Sequence, residues 1–390
     1  MHTLENIDEA IESYEMALQL DPDHYDALSN VGSARHKQND LDGAVHAYQR
    51  ALEIVLAADQ SYVDQNQVSM LYYLLGAALS SLAPHRCKGI PCGEHAANKL
   101  RQALRHNPDN QEARHALYAL IGDTSIKEAS AEYITSLFDE YAATFDTALV
   151  SGLHYQAPQL VWEAVSAHAE AAKISKFGTV LDAGCGTGLC GPIFRNVSET
   201  LIGVDLSPEM VERARERKVY DELEVAEIGK ALDKYTNKSE KKLFRSLHLV
   251  IAADVFVYSG DLERVFQACS KALRKGGVFA FTLERLEQSS EEEDKAKAEE
   301  EKKKGLVDVA TDDLPAEEGQ LPAQEYKVTD DDMQRGWKLQ LTGRFAHTEE
   351  YVVRLAKAHN FKVLSQTRIV PRIDNGNEIQ GQLVLLEVTA

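Results

Sequence analysis

The stretch VLDAGCGTGLCG places four glycines directly after an apolar strand pattern. Glycine lacks the Cβ atom that keeps other residues away, so such a loop brings backbone amides close to a ligand. The G-x-G-x-x-G spacing that begins at Gly186 is found in dinucleotide-binding loops, and a single match of this kind is weak evidence. A second register, D-x-G-x-G-x-G, begins at Asp182. The loop therefore predicts a cofactor site and leaves two classes of cofactor open.

Acidic residues at the ends of the predicted strands favour one of these classes. Asp182 would repel the pyrophosphate of a dinucleotide, whereas it suits S-adenosylmethionine, which carries a sulfonium and an ammonium group and no phosphate. Asp205, 19 residues after Gly186, can accept hydrogen bonds from both ribose hydroxyls of either cofactor. Glu227 and the backbone amide of Ile228 can contact an adenine edge. S-adenosylmethionine is therefore the predicted cofactor, with NAD as the weaker alternative.

Alternating strand and helix patterns from residue 179 onward position these residues. The candidate strands are TVLDAG, TLIGVDL, ELEVAEI, LHLVIAAD and GGVFAFTLE, with helices such as SPEMVERARER and GDLERVFQACSKAL between them. This alternation predicts a parallel, doubly wound sheet with both faces covered. Two further strands, FKVLSQTRIV and GQLVLLEV, flank RIDNGNEIQ, which suits an antiparallel hairpin. Ligands of such sheets bind at the carboxyl ends of the strands, where Asp254, Phe256 and Tyr258 would also lie.

Residues 1–122 form a repeat. The pattern small-x3-aromatic-x2-Ala occurs in EAIESYEMALQLDP and returns 34 residues later in GAVHAYQRALEI. A third copy, AANKLRQALRHNP, follows the insertion APHRCKGIPCG. The period and the small residues, which let paired helices approach closely, resemble the tetratricopeptide repeat, abbreviated TPR. An all-α repeat domain is therefore expected, and it implies a protein partner or self-association.

Residues 123–175 are predicted to be helical and to cover the cofactor site of a third region, residues 176–390. Tyr141 and Phe145 recur at helical spacing, and Tyr155 follows them. Aromatic rings near a sulfonium attract it through cation–π interaction. Such a stripe is also typical of helix-packing core, so both roles stay open, and Tyr141 and Tyr155 are the favoured donor contacts.

Composition excludes several classes of function. The chain of 390 residues has a net charge of -20, which argues against a general nucleic-acid binder. The segment 287–332 holds six lysines and 17 acidic residues and is predicted to be a solvated surface insertion. No apolar run is long enough for a membrane span, and the acidic N-terminus is not a secretory signal. A cytoplasmic protein is expected.

Five cysteines in so long a chain do not indicate a disulfide framework and favour a reducing compartment. The insertion HRCKGIPCGEH contains His85, Cys87, Cys92 and His95, but its spacing departs from the usual zinc patterns, so no metal is predicted. Cys185 and Cys190 are interpreted as small buried residues of the loop, not as nucleophiles.

The segments VLDAGCGTG, GVDLSPEMVERA, VYDELEVAEI and LVIAADVFVYSGDLERVFQACSKALRKGGVFAFTLE together resemble the class I S-adenosylmethionine-dependent methyltransferases. With the repeats in front, the chain resembles predicted methyltransferases that contain tetratricopeptide repeats. FDEYAATFDTALVSGLHYQAP and LTGRFAHTEEYVVRLAKAHNF are also similar to that subfamily. The resemblance covers nearly everything except the acidic insertion. It implies a Rossmann-like α/β fold with a seven-stranded sheet whose last strand is antiparallel.

The resemblance assigns the glycines of the second register to the donor loop, Asp205 to the ribose and Glu227 with Ile228 to the adenine. The family more often has aspartate at position 227, and a longer carboxylate should keep that contact. The full predicted donor site comprises Tyr141, Tyr155, Asp182, Gly184, Cys185, Gly186, Gly188, Asp205, Leu206, Met210, Glu227, Ile228, Asp254 and Phe256.

Methyl transfer from a sulfonium is a direct displacement that needs no protein nucleophile, so the enzyme mainly holds donor and acceptor in line. A protonated oxygen or nitrogen acceptor would need a base, for which His347 is the first candidate and His154 the second. Tyr258 is a further candidate catalytic residue. Arg344 and His347 are predicted to bind substrate, Arg344 through a carboxylate of the acceptor. The alternatives are that Arg344 is a surface arginine and that His347 only neighbours the N-terminal cap of the helix at Thr348.

The predicted function is an S-adenosylmethionine-dependent methyltransferase whose product is S-adenosylhomocysteine. Its acceptor is unidentified and is either a small molecule or a protein recruited by the repeats. Two alternatives stay open: an adaptor whose methyltransferase domain is catalytically silent, and an NAD-dependent oxidoreductase. Asp182, Asp205 and Glu227 together disfavour both.

Overall fold

The structure is a computed structural model, and it describes residues 2–58, 63–82, 87, 92–147, 149, 152–236, 245–287, 328–374 and 376–389. The segment 288–327, which is most of the predicted acidic insertion, lies outside the described residues, as does His85. The described chain divides into two compact units. The first contains Met1–Ser125 and Leu339–Gly343, and the second contains Ile126–Glu287, Thr329–Lys338 and Arg344–Ala390.

The first unit is built from helices. They are α1 (His2–Leu20), α2 (Tyr25–Lys37), α3 (Leu41–Ala57), α4 (Gln65–Ser80), α5 (Cys92–His106) and α6 (Gln111–Ile121). Gly32 in α2 shows why small residues recur, because a Cβ atom there would lie 2.7 Å from the ring of Tyr48 in α3. A Cβ atom at Gly76 of α4 would likewise lie 2.9 Å from the side chain of Leu100 in α5. Paired helices with glycine at the crossing confirm the predicted repeat architecture.

A disulfide joins Cys87 to Cys92 in this unit. The cysteine count did not indicate a disulfide framework, and this single bond was not predicted from the sequence. The two positions are five residues apart, and the bond closes the loop that inserts before α5. The described residues contain no group of histidine, cysteine and acidic side chains able to hold a metal ion.

The second unit begins with the helices α7 (Ala131–Tyr141), α8 (Phe145–Thr147) and α9 (Ala157–Ala171). Strands and helices then alternate, and they are β1 (Phe177–Ala183), α10 (Gly191–Arg195), β2 (Ser198–Asp205), α11 (Pro208–Glu216), β3 (Glu222–Val225), α12 (Ile228–Thr236), β4 (Leu247–Ala252), α13 (Glu263–Ala272) and β5 (Leu273–Arg285). The unit closes with α14 (Asp330–Arg335), β6 (Trp337–Leu339), β7 (Phe345–His347), α15 (Glu349–Ala358), β8 (Phe361–Ile369), β9 (Ile373–Asp374), β10 (Asn377–Glu378) and β11 (Gly381–Val388).

The main sheet has the strand order β3-β2-β1-β4-β5-β11-β8. The first five strands pair in parallel, and β11 pairs antiparallel with both β5 and β8. The prediction of a seven-stranded sheet with a reversed last strand is confirmed. Two short strands add to it, since β7 pairs in parallel with the end of β5 and also with β6.

The order in which strands are added to the sheet reverses between β1 and β4. The strands β2 and β3 lie on one side of β1, and β4 lies on the other. Crevices at such a switch point lie outside the carboxyl ends of the strands and bind ligands. None of the described helices is long and apolar enough to cross a membrane.

Candidate active site

The loop after β1 requires glycine for two different reasons. Gly184, Gly186 and Gly188 have φ angles of 74°, 53° and 83°, a region that other residues rarely adopt. At Gly184 a Cβ atom would lie 2.6 Å from the side chain of Val255, so this glycine lets two loops approach. At Gly186 the nearest atom would be 3.8 Å away, on Phe145. Gly186 therefore presents an open backbone surface to the cavity described next.

A cavity of about 510 Å³ lies at the carboxyl ends of the strands. Its size is that of a small-molecule or cofactor site. Most of the predicted site lines it, namely Tyr155, Gly184, Cys185, Gly186, Asp205, Leu206, Glu227, Ile228, Asp254, Phe256, Tyr258 and Arg344. Residues that were not predicted for the site also line it, and the most relevant are Phe138, Pro158, Val255 and Arg372. Phe145, a less favoured candidate, lines it as well.

Asp205 is held in one orientation at the end of β2. The Gly186 amide donates a hydrogen bond to its Oδ2 at 2.8 Å, and the Ser207 amide donates one to its Oδ1 at 3.0 Å. Burial raises the pKa of this carboxyl group, and the backbone amides oppose that effect. Each carboxylate oxygen can accept further hydrogen bonds, so the side chain can bind two hydroxyls of a ribose.

Asp182 lies beneath the loop, not in the cavity. Its side chain is buried, and the Tyr220 hydroxyl donates a hydrogen bond to its Oδ2 at 2.6 Å. Burial raises its pKa to about 7. The predicted direct contact with the donor is therefore corrected. Asp182 instead supports the loop from below through Tyr220, against which Gly188 packs.

Glu227 and Ile228 lie where β3 leads into α12, and both line the cavity. The Glu227 side chain is exposed and pairs with Lys230 at 3.6 Å. It is therefore free to turn toward a ligand at little energetic cost, since such an exposed pair contributes little to stability.

The segment before β1 covers the loop through polar and aromatic contacts. Asp146 accepts a hydrogen bond from Thr187 at 2.5 Å and forms an ion pair with Arg217. Phe138 and Phe145 pack edge to face with ring centroids 5.9 Å apart, and both line the cavity. Phe145 was the less favoured of the predicted aromatic donor contacts, and Phe138 was not among them. Their signal in the sequence was the helical spacing that also made them candidates for core.

Two of the covering tyrosines behave differently. Tyr155 lines the cavity, and its hydroxyl donates a hydrogen bond to the Ala253 carbonyl at 3.2 Å. Tyr141 is 41% exposed and does not line the cavity among the described residues. The structure therefore does not bring Tyr141 into the lining of the cavity, although the residue interacts electrostatically with Tyr258, which does line it.

A buried ion-pair cluster closes the cavity beside β4 and β5. The Arg372 guanidinium lies 2.7 and 2.6 Å from the two oxygens of Asp254 and also contacts Glu284. Arg344 lies 3.9 Å from Glu284 and 3.4 Å from Asp374. Thr282 and Glu284, which interrupt the apolar pattern of the strand FAFTLER, were the signal for this cluster in the sequence. Nothing in the sequence marked Arg372 as the partner of Glu284.

Tyr258 lines the cavity next to Arg344, which forms a hydrogen bond with its side chain. Burial raises the pKa of the Tyr258 phenol. A protonated phenol in an apolar site donates a hydrogen bond and does not act as a base. Tyr258 and Arg344 are therefore placed to orient a ligand.

The two predicted histidine bases lie outside the cavity, and both predictions are corrected. His347 is fully buried in β7, where its Nε2 is 3.0 Å from the Gly260 carbonyl oxygen. Burial lowers its pKa to about 4, so the imidazole is a poor proton acceptor. It also cannot bind substrate, because the sheet encloses it. His154 is exposed and does not line the cavity.

Met210 and Gly188 are supporting residues, which corrects their assignment to the donor site. Met210 is fully buried in α11. A Cβ atom at Gly188 would lie 2.9 Å from Tyr220, so this glycine allows the loop to pack on the tyrosine that binds Asp182. Burial raises the pKa of the Cys185 and Cys190 thiols, which agrees with their interpretation as unreactive packing residues.

The parallel sheet, the glycine loop and the acidic residue at the end of β2 define a Rossmann-like nucleotide-cofactor domain. Comparison with protein families makes the class specific. A family model described as "Methyltransferase domain" matches residues 174–342, and a tetratricopeptide repeat model matches residues 3–62. The chain therefore carries a region that matches a methyltransferase domain behind tetratricopeptide repeats. This match agrees with the predicted class of domain.

Several solved structures are similar to this chain. A S-adenosylmethionine-dependent methyltransferase from Leishmania major is 12% identical over 66% of this chain and 82% of its own, with a TM-score of 0.42. The 1,6-didemethyltoxoflavin-N1-methyltransferase of Burkholderia thailandensis is 14% identical over 69% and 94%, with a TM-score of 0.42. Magnesium protoporphyrin IX methyltransferase from Synechocystis is 12% identical over 60% and 83%, with a TM-score of 0.38. The search of curated proteins finds no match.

Proposed function

We propose that this chain transfers a methyl group from S-adenosylmethionine to a nitrogen or ionised oxygen atom of an acceptor that enters the same cavity. The observation that carries the proposal is Asp205, whose carboxylate lines the cavity and is fixed by the amides of Gly186 and Ser207. That arrangement joins the glycine loop to a ribose-binding carboxylate in one pocket.

The donor would lie along the ends of four strands. Asp205 binds the ribose hydroxyls, and Glu227 with the Ile228 amide contacts the adenine. The backbone of Gly186, which has open space above it, accommodates the amino-acid part. Asp254, Phe138 and Tyr155, which line the same cavity, would then surround the sulfonium. S-adenosylmethionine supplies an already activated methyl group, so the protein contributes position and electrostatics.

The acceptor would occupy the end of the cavity that Tyr258 and Arg344 line. The described residues around the cavity include no histidine and no lysine. A neutral amine attacks with its lone pair and loses its proton afterwards, and a carboxylate has no proton to lose, so either acceptor reacts without a protein base. A hydroxyl needs a base during the attack. The cavity lining also holds carboxylates that can accept a proton, among them Glu128 and Glu132, so a hydroxyl that one of them ionises is an acceptor of this proposal as well, on a small molecule or on a protein partner.

The repeats are proposed to bind a protein, as the concave surfaces of such arrays commonly do. That partner is either the methyl acceptor or a second copy of the chain. The adaptor alternative, with a silent methyltransferase domain, gains no specific support from the described residues.

Calorimetric titration tests the proposal. Wild type should bind S-adenosylmethionine and S-adenosylhomocysteine in the micromolar range and should not bind NAD. Asp205→Ala should weaken both by about 100-fold because it removes the two ribose contacts and the Gly186 anchor. Asp233→Ala, an exposed change on α12, is the matched control. Equal affinity in Asp205→Ala and wild type would contradict the donor site, and NAD binding would assign the loop to a dinucleotide.

A further inference from the structure

Arg372 is the most deeply buried charge at the cavity. Its side chain is 0% exposed, and the carboxylates of Asp254 and Glu284 that it contacts are 15% and 5% exposed. Its Nη1 donates to both carboxylate oxygens of Asp254, and its Nη2 donates to Glu284. These charge-assisted hydrogen bonds fix the Asp254 carboxylate in position and balance its charge.

Two hydrogen-bonding partners, Thr282 and Arg372, hold Asp254, whose backbone also has an uncommon conformation. Its φ angle is 61°, which is uncommon for a residue other than glycine. Its amide donates a hydrogen bond to the Thr282 hydroxyl at 2.8 Å, and Arg372 binds its carboxylate. Asp254 follows β4 by two residues, and both it and Arg372 line the cavity that holds the glycine loop. The pair therefore faces the ligand in a fixed geometry.

The cluster holds three carboxylates, Asp254, Glu284 and Asp374, and two guanidinium groups, Arg372 and Arg344. Asp254 has its ion pair with Arg372, whereas Arg344 pairs with Asp374 and Glu284. Without Arg372 the charge of Asp254 would be uncompensated inside a poorly solvated cavity. Electrostatic interactions there are several times stronger than in water.

A bare carboxylate at this point would oppose methyl transfer. The donor has a full positive charge on sulfur, and that charge is dispersed in the transition state. A nearby negative charge stabilises the donor more than the transition state, so it tightens binding without accelerating the reaction. It would also favour the cationic donor over the neutral product S-adenosylhomocysteine.

We propose that Arg372 is a positioning residue that neutralises Asp254 and thereby limits how strongly the cavity prefers the cationic donor over the neutral product. The proposal rests on the proposed function, because it concerns the donor site of that reaction. Arg372 acts through Asp254 and need not touch the reacting atoms.

The test measures the ratio of two dissociation constants, that of S-adenosylhomocysteine divided by that of S-adenosylmethionine. The two ligands differ in the methyl group and the charge on sulfur, so losses of shape or of ribose contact affect both and cancel. Arg372→Gln should raise the ratio about tenfold, and Asp254→Asn should lower it by about the same factor. The double variant, in which the cluster has the same net charge as in wild type, should return to within about twofold of the wild-type ratio.

Arg368→Gln is the matched control, since Arg368 lies on β8, is exposed and pairs with Glu349 at 2.9 Å. It should leave the ratio unchanged. Thermal unfolding identifies variants that do not fold, and Asp254→Asn and the double variant keep the test decisive if Arg372→Gln is one of them. If wild type binds both ligands and every folded variant keeps its ratio, the role of Arg372 is overturned alone. If wild type binds neither, the proposed function fails and this role fails with it.

Discussion

The core of the repeat unit and the carboxyl edge of the sheet are both buried, but the first buries apolar side chains and the second buries ionisable ones. The helices α3, α4 and α5 bury an apolar cluster that includes Tyr48, Leu75 and Leu100. The sheet edge buries Asp182, Glu284 and Arg372 instead. Burial of apolar surface stabilises a fold, whereas buried ionisable groups lose solvation and are retained where they serve a site. The difference marks the sheet edge as the functional region.

The largest expected effect lies in the apolar core. Leu75→Ala should lower the free energy of unfolding by about 3 kcal/mol, because the side chain is fully buried and leaves a cavity. Met70→Ala on the same helix is the control, and its half-exposed side chain should cost well under half as much. Chemical denaturation measures both. Equal losses would show that this helix is not packed as described.

Gly184 tests whether the edge of the sheet is as tightly packed as the repeats. Gly184→Ala should cost about 3 kcal/mol, since it combines a positive φ angle with a Cβ atom 2.6 Å from Val255. Gly376→Ala shares the positive φ angle and has nothing within 4 Å, so it isolates the backbone contribution of about 1 kcal/mol. Equal stability of the two variants would contradict the close approach of the two loops.

The disulfide is the covalent element of the repeat unit. Reduction of the bond between Cys87 and Cys92 should destabilise the protein by about 2 kcal/mol, because a short closed loop is released. Thermal unfolding with and without a reductant measures this, and the double variant Cys87→Ser/Cys92→Ser should not respond to the reductant. A wild-type protein that is equally insensitive would show that the bond contributes nothing to stability.

Asp182 makes the sheet edge sensitive to pH in a way that the apolar core is not. Its pKa is raised from 3.8 to about 7, with burial as the main cause and Asp205 adding to it against the hydrogen bond from Tyr220. Between these pH values the unfolded state has released the proton and the folded state retains it. The contribution of Asp182 to stability is therefore full below pH 4 and declines as pH rises toward 7.

The expected decline between pH 5 and 6 is about 1.4 kcal/mol. Asp182→Asn keeps an oxygen that accepts the Tyr220 hydrogen bond and cannot ionise, so it should lack this part of the slope. Denaturation curves of the two proteins at several pH values give the difference. Parallel pH profiles would show that Asp182 is ionised in the folded protein.

The sequence predicted the features that depend on local pattern. The period of the repeats predicted paired helices, and the alternation of strands and helices predicted a parallel, doubly wound sheet. Asp205 and Gly186 were predicted because a loop and the end of the next strand have a characteristic spacing. Their contact in the structure follows from parallel pairing of β1 with β2.

The features that were missed depend on contacts between distant parts of the chain. Arg372 meets Asp254 across 118 positions, and no local pattern marks that pair. His347 was predicted as a base because an imidazole titrates in the useful pH range, yet pairing of β7 with β5 buries it. Tyr220 gave no signal, since its role exists only once the loop has folded over it.

Glu227 gives the smallest expected effect on stability and sharpens the contrast with Asp182. Glu227→Gln should change the free energy of unfolding by less than about 0.5 kcal/mol, because the side chain is exposed and its pair with Lys230 is weak. It should nevertheless weaken donor binding several-fold, since the amide keeps only part of the proposed adenine contact. Lys230→Gln, which breaks the same ion pair from the other side, should leave both quantities unchanged. If Glu227→Gln also leaves binding unchanged, the adenine contact is made by the backbone of Ile228 alone, and the exposed carboxylate has no part in the site.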